Sequence, residues 1–279
     1  MDTGSFTGFE ITMREPGIAW FRFNTPERLN GMTTGIKRDL IEAVTQAQMD
    51  NAVRVVVFTG SGRAFCAGDD LKGYRGNKIG GTPLTADIPP GHDSAIGTYD
   101  GLRTISQQVN TAIRSLDKLT IAAINGYSLA GGLELALFCD IRIASRDAQF
   151  GCPEVKWAIL HGYGALRLPG MIGMSDALWL LFSGDFIDAE RALRIGLVSE
   201  VTSPDELLPT ARALAQRIAA NGPMAVRLTK ELAVRSRDLS LGDGLRLYQE
   251  YSRLAFSSDD AHEGIASFAE KRDPTYQDG

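Results

Sequence analysis

The sequence is poor in cysteine, in basic excess and in long apolar runs. Cys66, Cys139 and Cys152 are its 3 cysteines. An odd number without metal-ligand spacing argues against a disulfide framework or a thiolate metal site, and for free thiols in a reducing compartment. Acids outnumber bases by 34 to 29, for a formal charge of -5. The electropositive footprint of a nucleic-acid binder is therefore missing, and so is any pull toward anionic membranes. No apolar run approaches the roughly 20 residues that a membrane span requires. The opening "MDTGSFTGFEITMREPG" has acid early and neither a basic nor an apolar leader region, so neither a signal peptide nor a transit peptide is expected. These absences point to a cytoplasmic protein that binds neither nucleic acid nor membrane.

What is present is an ordinary globular composition. The 279 residues are 44% hydrophobic and 23% charged, enough for one large domain or two small ones. "GIAWFRFN" (17–24) alternates in strand period, and a turn at "TPERLNG" follows. Ile36, Leu40, Val44 and Ala47 line one helix face, and "VRVVVFTG" (53–60) is the β-branched run of a strand buried on both sides. The alternation continues with a helix near 102–116, a strand at "LTIAAING" (119–126), a short helix from about 132 and a strand at "DIRIAS" (140–145). Strands alternating with helices predict a layered α/β core with crossover connections. Beyond residue 173 the pattern turns helical, with one short strand at "GLVSEV" (196–201). A capping box at Ser203 and Glu206, with Pro204 at the first helical position, opens one helix, and "NGP" (221–223) divides it from the next.

Two glycine-punctuated turns follow buried strands: "SGRAFCAGDDL" (61–71) and "NGYSLAGGLELAL" (125–137). Turns at the C-terminal ends of strands are where α/β sheets usually bind ligands. A helix opening at Gly131 directs free N–H groups and its positive dipole end outward, so the two turns together could form an oxyanion hole. The segment 72–101, rich in Gly, Pro, Thr and Asp, reads as a long functional loop, with His92 as a loop residue.

The chain resembles the crotonase superfamily, whose best-known members are enoyl-coenzyme A hydratases. The resemblance is carried by "TPERLNGM" (25–32), "SGRAFCAGDDL", "AAINGYSLAGGLELALFCDIRIAS" (122–145), "AQFGCPEV" (148–155), "FSGDFIDAERALRIGLVSEV" (182–201), "NGPMAVRLTKEL" (221–232) and "EGIASFAEKR" (263–272). It implies a spiral of repeated ββα units over 1–200, bearing the acyl-coenzyme A site, and a helical oligomerisation region over 201–279. The assembly it implies is a trimer or a dimer of trimers. The N–H groups of Asp69 and Gly131 would receive the thioester oxygen, and Glu134 and Glu154 stand where hydratases keep their two carboxylates. Arg28, the backbone around Ala67, and Leu71 would contact coenzyme A, while Phe268 and Lys271 would reach the coenzyme of a neighbouring subunit. Hydration of a 2-enoyl thioester is then the implied reaction, with no metal and no cofactor beyond the coenzyme A of the substrate. It needs a base to activate water at C3 and an acid to protonate C2, tasks assigned to Glu134 and Glu154 in that order. Two carboxyls sharing a site titrate as a coupled pair, which lets one act as base while the other acts as acid.

The chain departs from the family pattern after Glu154, in "KWAILHGYGALRLPG" (156–170), where His161 replaces a usual proline and Ala165 interrupts a paired glycine. Trp157, His161 and Tyr163 are the bulky candidates to line the acyl pocket. Two readings stand for His161: a third proton-transfer group, or a packed and hydrogen-bonded ring, the commoner arrangement for a lone histidine. Asp69 beside an oxyanion hole must turn its carboxylate away or pair it with a cation. The residues alone also allow a plainer arrangement, with Glu134 exposed on its helix and Glu154 paired with Arg142. Double-bond isomerisation, thioester or carbon-carbon hydrolysis and, against the acidic composition, RNA binding are the alternatives to hydration within the superfamily.

Overall fold

A computed structural model describes residues 1–70 and 102–277; Leu71, His92 and the rest of the 72–101 segment lie outside the described residues. The larger sheet is built, in spatial order, from β1 (Gly4–Phe6), β2 (Phe9–Arg14), β3 (Ile18–Phe23), β4 (Val55–Gly60), β6 (Leu119–Ile124), β8 (Ile141–Ser145) and β11 (Glu200–Thr202). Pairing is antiparallel from β1 to β3 and parallel from β3 to β11. A smaller sheet runs β10 (Phe186–Asp188), β9 (Gln149–Gly151), β7 (Tyr127–Leu129) and β5 (Ala64–Cys66). Along the chain each long parallel strand is followed by a short one in the smaller sheet: β4 by β5, β6 by β7, β8 by β9. With helix α3 (Gly131–Phe138) following the β6–β7 pair, this is the expected ββα spiral of an α/β fold.

The alternation in β3 sorts its side chains between two cores. Ile18 and Trp20 pack with Val55, Val57 and Ile121 on one face of the sheet, while Ala19, Phe21 and Phe23 join the larger cluster on the other. Only Arg22 of this strand is not fully buried. Helix α1 (Thr34–Met49) lays Ile36, Leu40, Val44 and Ala47 into the larger cluster, and Thr33 caps it by accepting from the Ile36 N–H. The helix expected near 102–116 starts with a wide turn at Leu102–Ser106 and continues as α2 (Gln107–Ser115).

The chain then adds α4 (Gly162–Arg167), α5 (Met174–Ser183) and α6 (Ala189–Arg194) before four longer helices: α7 (Leu207–Ala219), α8 (Pro223–Arg235), α9 (Leu241–Phe256) and α10 (Asp259–Glu270). The capping box at Ser203 does not form. The Ser203 carbonyl, rather than its hydroxyl, accepts from the Glu206 N–H at 3.1 Å, so residues 203–206 make a turn and α7 begins at Leu207. The strand expected over 196–201 shortens to Glu200–Thr202, because Leu197 and Val198 are buried as loop residues beneath α6. The boundary expected at 200/201 falls inside the main sheet. Beyond it, α7 sets Leu207, Ala211, Ala215 and Ala219 against Ile18, Val55 and Val57. Small residues at every fourth position let that helix lie close to the strands. In contrast α9 buries none of its residues.

One contact fixes how the two sheets meet. A Cβ added at Gly132, on the first turn of α3, would stand 2.0 Å from the Cys66 carbonyl oxygen at the end of β5. Gly132→Ala is therefore expected to lower the thermal midpoint by several degrees, for a cost of about 1–3 kcal/mol. Gly244→Ala, at a position with nothing within 4 Å, should be neutral or mildly stabilising in the same calorimetric scan, since alanine outranks glycine in a helix by about 1 kcal/mol.

Candidate active site

The turn after β5 is held by the "TPERLNGM" segment. Buried Asn30 donates through Nδ2 to the Ala64 carbonyl at 2.7 Å and the Ser61 carbonyl at 3.0 Å. Ala67 donates its N–H to Leu29, Met32 donates to Gly68, and Asp70 donates to Met32. In that parallel bridge Asp69 lies between two bonded residues, so its own N–H points to the opposite side. Asp69 itself stands against the second turn, its Oδ1 3.6 Å from where a Cβ on Gly131 would be. Gly68, with φ of +96°, sits so close to that turn that a side chain would come within 2.8 Å of the Ala130 Cβ and 3.1 Å of the Gly131 nitrogen. Ala130, at φ 52° and ψ -130°, donates to the Gly151 carbonyl and turns the chain into α3. Gly131 is the first helical residue, so its N–H has no acceptor one turn back. The two amides singled out in the sequence thus belong to backbone turns in direct contact.

The Asp69 carboxylate meets a cation, as its position demands. Lys37 Nζ lies 2.8 Å from Asp69 Oδ1 and donates to the Ser106 hydroxyl at 2.9 Å. Lys37 was not singled out from the sequence. It stands three and seven residues before Leu40 and Val44, on the apolar stripe of α1, and a lysine there has to find an anion or be expelled.

Glu134 lies one turn into α3, on the face shared with Gly131. Glu154 comes from the single 3-10 turn Pro153–Trp157 that follows β9. Because β9 runs parallel to β7, its end delivers Glu154 beside the start of α3. Between them stands His161, 2% exposed. Its Nδ1 is 3.1 Å from Glu134 Oε1 and 3.0 Å from Glu154 Oε1, midway between two acceptors without full alignment on either. The Tyr163 N–H donates to the same Glu134 oxygen at 3.1 Å. Burial disfavours charge on the ring, but the Cys152 thiol and the two carboxylates outweigh it and push the His161 pKa up. Arg142 takes no part: it is buried and donates to the Leu197, Cys139 and Ala136 carbonyls. The plainer pairing of Glu154 with Arg142 does not occur.

The remaining candidates divide. Tyr163 packs edge-on against Phe138, with ring centroids 5.3 Å apart, and burial followed by the Glu134 charge raises its hydroxyl pKa. Among the described residues, the Tyr163 hydroxyl and Glu154 Oε2 are buried without a hydrogen-bond partner. Trp157 is 55% exposed and stands outside the His161 cluster. Arg28 forms an ion pair with Asp70, its side chain half exposed, and Ala67 lies two residues before Asp69 on the same turn. Phe268 is 86% exposed near the end of α10, and Lys271 caps that helix in the left-handed conformation.

A model of the enoyl-CoA hydratase/isomerase family matches residues 13–279. The chain belongs to that family. An (E)-benzylidenesuccinyl-CoA hydratase of Thauera aromatica is 37% identical over 268 residues, covering 93% of this chain and 95% of that protein. A crotonyl-CoA hydratase of Syntrophomonas wolfei is 35% identical, covering 94% of this chain and 95% of its own length. The crystal structure of an enoyl-CoA hydratase from Bacillus anthracis superimposes with a TM-score of 0.88 at 32% identity, covering 98% of this chain and 100% of that one. The family assignment accounts for the shared spiral and for the two glycine turns meeting at one point.

The cysteines behave as small apolar fillers. All are free and buried, and burial, the largest influence on each, pushes Cys66 and Cys139 up to about 12 and raises Cys152 despite His161. Native protein at pH 8 is expected to leave all of them unreacted with Ellman's reagent over an hour, with full reaction in denaturant. Rapid labelling of the folded enzyme would show that the pocket beside Cys152 opens to solvent.

Proposed function

We propose that the protein adds water reversibly across the double bond of a 2-enoyl-coenzyme A thioester, giving the 3-hydroxyacyl thioester. The observation that carries this reading is the convergence of Glu134 and Glu154 on one point, 3.1 and 3.0 Å from a single histidine nitrogen. The Gly131 N–H lies one turn from Glu134 on the same helix. The Asp69 and Gly131 N–H groups would receive the thioester oxygen and stabilise the charge that builds on it, where one donor is worth about 3 kcal/mol of barrier. Lys37 keeps the Asp69 carboxylate from opposing that charge. Glu134 would take a proton from water as its oxygen bonds to C3, and Glu154 would protonate C2. Addition of water changes no net oxidation state, so the reaction calls for no redox cofactor.

Arg28, Ala67 and Leu71 are assigned to the coenzyme, with Arg28 exchanging Asp70 for a phosphate. Trp157, His161 and Tyr163 are assigned to the acyl side. Phe268 and Lys271 would reach the coenzyme bound to a neighbouring subunit of a trimer or dimer of trimers. That assembly would cover the apolar side chains of α9 and α10, where Leu241, Leu245, Phe256 and Ile265 are each more than half exposed. No described helix is long and apolar enough to cross a membrane, and the free thiols suit a reducing cytoplasm.

The test is loss of enone absorbance on 2-enoyl-coenzyme A thioesters from short to long. Glu134→Gln and Glu154→Gln are each expected to lower kcat by about 10²–10⁴-fold. Isomerase turnover that survives Glu134→Gln but not Glu154→Gln would replace hydration by double-bond migration. Lys37→Met, which strips Asp69 of its cation, should lower kcat about tenfold, equivalent to about 1.4 kcal/mol, while circular dichroism confirms the fold.

A further inference from the structure

His161 has one nitrogen facing both glutamates, and the ring is sealed where it stands. Its side chain is 1% exposed. It lies flat against Gly164, where an added Cβ would come within 2.4 Å of the ring's Cδ2 and 2.6 Å of its Nε2. The titratable groups that face it are Glu134 from α3, Glu154 from the turn after β9, and the Cys152 thiol at the start of that turn. An ionised carboxylate can only accept hydrogen bonds. A bare Nδ1 lone pair would repel whichever oxygen is ionised, whereas a proton there faces both, 3.1 and 3.0 Å away, and can shift toward either. Tertiary packing has thus inserted a proton carrier between the two groups that hydration asks to exchange a proton.

We propose that His161 is a proton relay between the two glutamates, an inference that rests on the hydratase reading: it stores, as imidazolium, the proton that Glu154 delivers to C2. Through the same Nδ1 it recovers the proton that Glu134 takes from water. In the addition direction an O–H bond of water breaks, the oxygen forms the bond to C3, and the proton goes to Glu134. The π electrons of the C2–C3 bond, held as enolate by the two amides, take a proton from Glu154 to form C2–H. Glu154 is refilled from Nδ1, and Nδ1 is refilled from Glu134 across the opposite 3.1 Å contact. One water is consumed and the three groups end with the protons they began with. His161 exchanges protons with the glutamates alone and acts on the reacting atoms through them.

The upward push on the His161 pKa gives the relay its pH signature. A group held protonated keeps its proton through neutrality and loses it only as pH rises past the elevated value, so the relay should fail on the alkaline side. His161→Asn places a non-titrating amide near the Nδ1 position. It is expected to lower kcat by about 10²–10⁴-fold with KM within about threefold, and to remove from the kcat/KM profile the alkaline fall that deprotonation of the ring causes. Reduced kcat with an unmoved alkaline limb would overturn the relay and leave His161 as packing. A wild-type enzyme that hydrates no enoyl thioester would overturn the hydratase reading itself, and the relay with it. Should the variant fail to fold, nitrogen-15 NMR of the wild-type protein decides, since the sequence holds only 3 histidines. One ring is expected to carry protons on both nitrogens at about pH 8, where a free histidine is neutral. A His161 ring found neutral at about pH 7, near the pKa of a free histidine, overturns the proposal.

Discussion

Everything in the site depends on two backbone turns approaching more closely than side chains would allow. The Cys66 carbonyl occupies the space that a Cβ on Gly132 would need, and Gly68 fits against Ala130 and Gly131 in the same way. That approach sets the turn after β5 against the turn before α3, fixes the origin of α3, and so sets where Glu134 points. Asn30 buttresses the arrangement from the other side, bonding to the Ala64 and Ser61 carbonyls. In the proposed reaction an amide pair held this way would need no reorganisation when charge develops on a bound oxygen, which is the source of its electrostatic advantage.

The charges are managed by pairing rather than by exposure. An acid next to the proposed oxyanion hole would oppose the reaction, yet Asp69 is bound by a lysine drawn from the apolar face of α1. Glu134 and Glu154 would repel each other in a dry pocket, and a histidine separates them. In both places the partner arrives from a different element than the carboxylates it serves, so neither arrangement could exist in an isolated segment.

Strands β3, β4, β6 and β8 were legible in the sequence because each is a run of five or six mostly apolar residues, and burial on both faces leaves an unbroken signal in β4 and β6. The three-residue strands β5, β7 and β9 carry too few positions to show any period, although their paired sheet is what brings Glu154 to α3. Ser203 and Glu206 have the right spacing for a cap, but the Ser203 carbonyl competed successfully for the same N–H. Lys37 was hidden because a charge on an apolar stripe looks like an exception until its partner, 32 residues downstream, is seen in space.

By itself the sequence determined the layered α/β fold and the two glycine turns, since each is a local pattern of residue type at fixed spacing, while the pair of glutamates was picked out only by the resemblance to the crotonase family. The tertiary structure alone decided which cation answers Asp69 and that Arg142 would serve backbone carbonyls instead of Glu154. It also decided that His161, remote from Glu134 along the chain, would stand between both carboxylates. Such contacts join elements whose separation in sequence carries no spacing rule, and only the packing of the two sheets and α3 brings them within hydrogen-bonding reach.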